Sequence, residues 1–173
     1  GIWKDGGSDC AMYTSGSRAY SGSRAVDLQD NSGTGSSTYT NEDFNVTGFT
    51  SINIEFYFYA YSMETNEDFW VQYYDGSAWR TVASYARGTN FNNNTFYVAN
   101  ITVSSIDYNF PSNAEFRFMC DASGNADDVY IDALKAGGDI VFRTAGTATT
   151  AMTLSANGDA IISNKLNIGT VPY

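Results

Sequence analysis

The chain has 173 residues, a formal net charge of -10 and no histidine. An acidic surface lacks the basic footprint that nucleic acid or an anionic membrane requires, and the lack of histidine removes the usual general base and the commonest transition-metal ligand. Its 13 Tyr and 11 Phe stand beside 16 Gly and only 2 Pro, a balance of strand formers and turn formers that predicts an all-β protein.

In chain order, the first clear strand is expected from Ser23 to Gln29, closed by the turn residues Asp30-Asn31-Ser32-Gly33. Ser51 to Tyr61 alternates most cleanly. Ile52, Ile54, Phe56 and Phe58 point one way, and Tyr57, Tyr59 and Tyr61 the other. Asp68 to Tyr74 and Trp79 to Tyr85 form a hairpin around Asp75-Gly76. Strands at Phe96 to Val103, Glu115 to Cys120 and Val129 to Leu134 follow, which together predict a β-sandwich.

The composition changes at Gly137-Gly138. Phe142 and Tyr173 are the only aromatic residues beyond it, and Asp139 and Asp159 are balanced there by Arg143 and Lys165. The expectation is a self-sufficient domain over 1–136 and a thin β tail over 137–173. Short tail strands are expected at Asp139 to Thr144, Ala151 to Ser155, Ala160 to Ser163 and Leu166 to Ile168. So small a hairpin is marginal alone, which predicts homo-oligomeric packing through 137–173. No transmembrane run or signal peptide is recognisable, and Gly1 in place of Met is expected of a processed chain or of an excerpt.

Cys10 and Cys120 lie near opposite ends of the larger part. One bridge between them, closing a loop of roughly 110 residues, would stabilise by about 4–5 kcal/mol in the chain-entropy account; the alternative is two buried thiols. For a metal, Asp121, Ser123, Asn125 and Asp127 alternate along one loop, a spacing able to aim oxygens at a hard cation such as Ca²⁺. Sugar rings present an apolar face and a rim of hydroxyls. Tyr57, Tyr59 and Tyr61 beside Trp70 and Tyr74 are therefore the candidate glycan-binding set, against coverage of that face by loops or a partner. The carboxylate pairs Glu42/Asp43 and Glu64/Glu67/Asp68 read as hydrophilic turns, and catalysis is not expected.

Several stretches carry a family likeness: Trp3-Lys-Asp-Gly-Gly-Ser-Asp-Cys10, Tyr20 to Ser32, Glu67-Asp-Phe-Trp-Val-Gln-Tyr73, Phe116 to Asn125 and Val129-Tyr-Ile-Asp-Ala-Leu134. Together they resemble the jelly-roll modules, similar to MAM and carbohydrate-binding domains, of secreted marine Bacteroidetes proteins. The resemblance implies a jelly-roll β-sandwich, a binding or adhesive role, and a structural Ca²⁺ between the N-terminal segment and the last strand. That site would fall on Asp5 or Asp9 with Asp132, with Asp30 a further candidate. The tail, through Asp139-Ile-Val-Phe-Arg-Thr144, Ala151 to Gly158 and Leu166-Asn-Ile-Gly169, resembles β-segments of bacteriophage tail fibres. The expected function is accordingly a non-enzymatic structural or adhesive subunit of an extracellular or virion-surface assembly, with a cell-surface glycan as a partner. The alternative is a carbohydrate-binding module of a secreted multidomain enzyme.

Overall fold

The computed structural model describes residues 3–5, 9–29, 36–40, 44–124, 126–143, 150–154 and 160–162. Twelve strands run through them: β1 (Trp3–Asp5), β2 (Cys10–Tyr13), β3 (Ala25–Leu28), β4 (Ser36–Thr40), β5 (Ser51–Tyr61), β6 (Asp68–Tyr74), β7 (Trp79–Ala86), β8 (Phe96–Ser104), β9 (Glu115–Asp121), β10 (Asp128–Arg143), β11 (Thr150–Leu154) and β12 (Ala160–Ile162). Among the described residues there is no helix.

The strands form two antiparallel sheets. One has the order β1-β4-β9-β6-β7. The other runs β12-β11-β10-β3-β2, with β5 paired between β10 and β8. The alternation along β5 and β6 dictates how they pack. Ile52, Ile54, Phe56 and Phe58 of one sheet meet Phe69, Val71 and Tyr73 of the other, together with Phe116 and Phe118 of β9. Rings interlock edge to face across the gap, Phe56 on Phe118 at 4.9 Å and Phe58 on Phe69 at 4.9 Å.

The expected β6–β7 hairpin is present, and its turn shows why the sequence there is Asp-Gly. Asp75 accepts hydrogen bonds from the backbone N–H groups of Ser77 and Ala78, at 2.9 and 2.8 Å. Gly76 sits at φ +87°, where a Cβ would lie 2.9 Å from the Pro111 side chain.

Two expectations change. The strands expected at Val129 to Leu134 and Asp139 to Thr144 are one strand, β10, which passes through Gly137-Gly138. Gly137 pairs with Asn53 and Gly138 with Ile52, so the ladder to β5 continues across the compositional break. The shift in register between Asp132 and Lys135 coincides with Ala133 at φ +50°. The predicted tail hairpin is present as β11 and β12, paired to each other and to β10; Leu166 to Ile168 lies outside the described residues.

The expected disulfide is not formed: Cys10 and Cys120 are both buried thiols. Cys10 stands opposite Leu28 in one sheet and Cys120 opposite Phe69 in the other. Both residues belong to the core cluster between the sheets, where a buried thiol packs as a small hydrophobe.

Candidate functional site

The cross-strand register arranges aromatic residues in rows on the outer face of the larger sheet. Asp27 of β3, Tyr130 of β10, Tyr59 of β5 and Phe96 of β8 stand directly opposite one another in turn. Asp132, Tyr57 and Val98 form the next row. Residues 14–24, between β2 and β3, cross this floor as a strap. Tyr20 stacks on Tyr57 with centroids 3.5 Å apart and planes 10° off parallel, and meets Phe96 edge-on at 5.8 Å. The Ser21 N–H donates to Asp132 at 2.7 Å.

Arg18 fastens the other side of the strap. Its guanidinium lies 3.7 Å from the centroid of Tyr61 and 5.0 Å from that of Tyr130. It also donates to the Tyr130 hydroxyl and, at 3.2 Å, to Asp128. Asp128 is buried and accepts further bonds from Gln29 at 2.7 Å and Tyr130 at 2.6 Å. Burial, followed by the bond to Asp128, holds the Tyr130 phenol protonated well above its ordinary range. What the strap leaves open is an aromatic ridge: Tyr20 is 50% exposed, Tyr61 38% and Phe96 37%. Asn94, which accepts the Tyr59 hydroxyl at 3.2 Å, and Asp132 lie beside it.

Asp27 is the strained member of this network. Its Oδ1 is buried without a hydrogen-bond partner, and burial, with Asp128 nearby, pushes its carboxyl up to about 7; Arg18 offsets this only in part. Folded Asp27 therefore keeps its proton until about pH 7, whereas its ordinary value is 3.8. Between those values the folded state binds more protons than the unfolded one, and stability falls as pH rises through the window. Asp27→Asn is expected to melt above the wild type at pH 8, with the gap closing by pH 5. Equal gaps at the two pH values in parallel thermal melts refute this assignment.

The five residues expected to form one glycan-binding set are divided by the fold. Tyr57, Tyr59 and Tyr61 lie on the strap face. Trp70 and Tyr74 project from β6 on the opposite side of the sandwich, because Phe69, Val71 and Tyr73 take the inward positions. Tyr20, Arg18 and Phe96 were not singled out by the sequence, since only the strap brings them to the same place.

Of the expected metal residues, the structure describes the side chains of Asp9, Asp121, Asp127 and Asp132. The Asp5 side chain, Asp30 and Asn125 lie outside what the structure describes. Asp9 is buried ahead of β2, where its carbonyl accepts from the Gln29 N–H at 2.8 Å. Asp132 is satisfied by backbone donors, Ser21 at 2.7 Å and Ala133 at 2.6 Å. Asp121 is exposed at the end of β9. Asp127 is buried and joins Glu64 and Glu67, with carboxylate oxygens of the three within 4.8 Å of one another. Ser123 binds this group through its N–H to Glu67 at 2.7 Å and its hydroxyl to Glu64 at 3.0 Å. Burial and the neighbouring Glu67 push the Asp127 carboxyl up. Among the described residues this all-oxygen set is the one suited to a hard cation such as Ca²⁺.

No family model and no curated relative matches the sequence. Solved structures do. The chain is similar to a Clostridium thermocellum xylanase 10B structure that joins a family 22 carbohydrate-binding module to its GH10 module, complexed with xylohexaose. The match has 14% identity and a TM-score of 0.57, and covers 86% of this chain but only 27% of that one. It is also similar to the xylan-binding CBM22-1 domain of Paenibacillus barcinonensis Xyn10C, with 12% identity, a TM-score of 0.54, and 78% and 83% of the two chains covered. A third similar structure is the K2 cleaved adhesin domain of Lys-gingipain, with 14% identity, a TM-score of 0.52, and 77% and 88% covered. At these identities the likeness establishes the fold alone, a jelly-roll β-sandwich. The expected phage-fibre likeness of the tail finds no support in these structures.

Proposed function

We propose that this chain is a non-catalytic carbohydrate-binding module, acting outside the cell, whose site is the strap face. The observation that carries the proposal is the ridge of exposed Tyr20, Tyr61 and Phe96 set among fixed polar groups. Aromatic rings accept the apolar face of a sugar. Arg18, Asn94 and Asp132 stand where hydroxyls at the ring's rim would lie, and the rings are held by stacking and by the Arg18–Asp128 pair, so little order is lost on binding. The sandwich is shared with a xylan-binding domain and with a module complexed with xylohexaose, which supports the glycan reading over the assembly-subunit reading. A sandwich also serves in an adhesin domain, so the ligand is set by the face and not by the fold.

The test is affinity electrophoresis through gels containing soluble xylan, β-glucan, mannan or galactan. At least one polysaccharide is expected to retard the wild type. Tyr20→Ala combined with Phe96→Ala is expected to weaken that retardation by at least about tenfold, as loss of aromatic anchors does. Wild-type mobility unchanged in every gel overturns the proposal.

A further inference from the structure

The outer face of the five-stranded sheet is as ordered as the strap face, and it is built differently. Register places three rows across β7, β6 and β9: Ser84–Trp70–Met119, Thr81–Gln72–Arg117 and Trp79–Tyr74–Glu115. Along β6 the outward positions read Trp70, Gln72, Tyr74, aromatic and polar by turns, about 7 Å apart. The polar groups between the rings are fixed. Arg117 Nε donates to Gln72 Oε1 at 2.6 Å, and Gln72 Nε2 donates to Thr81 at 3.0 Å. The Arg117 guanidinium covers Trp79 at 4.3 Å, with Tyr74 5.4 Å from the same ring. Trp70 Nε1 and the Ser84 hydroxyl both donate to Asp68, at 3.0 and 3.3 Å.

We infer that this face is a second glycan-binding site, making the module bivalent, and that its occupant is an uncharged polysaccharide strand. Charge selects that class. Glu115, Asp68 and Asp121 outnumber the basic residues of this face, Arg117, whose guanidinium is engaged by Gln72 and Trp79, and Lys4, which register places at the β1 end of the same row, so the face disfavours phosphate, sulfate and uronate polymers. Its interleaved polar groups suit a ligand with hydroxyls at every ring. A protein partner would instead bury an apolar centre depleted of charge. The rings are half-buried and held by neighbours, which keeps low the ordering cost of binding a flexible chain. Two sites on opposite sides of one sandwich let a single molecule bridge two strands of a polymer, and the second contact gains from effective concentration.

The site reports on itself. The sequence has 3 tryptophans, of which Trp70 and Trp79 belong to this face. Their indole N–H resonances, assigned with Trp70→Phe and Trp79→Phe, are followed while xylohexaose, cellohexaose, mannohexaose and laminarihexaose are titrated in turn. Both resonances are expected to shift to saturation with at least one of them. The shifts are expected to persist in Tyr20→Ala/Phe96→Ala, which lacks the strap-face ridge, and affinity at this face is expected to fall about tenfold in Arg117→Ala. Indoles that stay in place throughout, whether or not the strap face binds, overturn the inference. Indoles that move only when Tyr20 and Phe96 are intact overturn it equally.

Discussion

Phe56→Ala is expected to destabilise the protein by about 3–5 kcal/mol, the range for truncating a buried phenylalanine. Phe56 is 0% exposed, and its ring lies within 4.9–6.5 Å of Phe118, Phe58, Tyr85 and Phe69. Those neighbours come from β5 itself and from three strands of the other sheet, so none can close the cavity without disturbing the packing between sheets. At about 2–4 °C per kcal/mol for a chain of this size, the melting midpoint should fall by about 6–20 °C. A calorimetric loss under about 1 kcal/mol would show that the two sheets are not held together through this ring.

Asp128→Ala is expected to cost about 2–4 kcal/mol and to abolish the glycan binding proposed for the strap face. Removing the carboxylate leaves the Arg18 guanidinium, the Gln29 amide and the Tyr130 hydroxyl without their shared acceptor in a site largely closed to water. The damage does not stay local. Arg18 is what ties the strap to Tyr61 and Tyr130, and the strap carries Tyr20. Amide exchange over residues 16–22 should quicken well before the rest of the sandwich opens. Asp128→Asn, which keeps one carbonyl acceptor, should lie between alanine and wild type in both exchange and binding. Exchange over 16–22 unchanged in Asp128→Ala would remove this residue from the positioning of the ridge.

The strands with strict alternation could be read from the sequence: β5, β6 and the β6–β7 turn follow from Ile52 to Tyr61, Asp68 to Tyr74 and Asp75-Gly76. β1, β2 and β4 could not. Ser36–Thr40 is Ser-Ser-Thr-Tyr-Thr and carries no apolar period, and Cys10–Tyr13 is too short to show one. They are strands because neighbours supply their ladder partners, a choice made by tertiary pairing rather than propensity. The same limit governs the site. Sequence shows which way Tyr57 and Trp70 point within their own strands, but not that β5 and β6 lie in different sheets, so one expected aromatic set became two faces. Glu64 and Glu67 meet Asp127 across some sixty residues of chain, a closure that local spacing cannot reveal.

The uninterrupted course of β10 through Gly137-Gly138 has a mechanical consequence. A force applied beyond Arg143 is directed along the strand axis into a ladder with β5 that extends from Asp139 back to Asp128. Hydrogen bonds in such a ladder lie across the pull and must yield together in shear, whereas bonds opened one at a time from a free edge peel at low load. Load that reaches Arg143 thus meets a strand paired on both sides, to β5 and to β3, rather than one at a free edge.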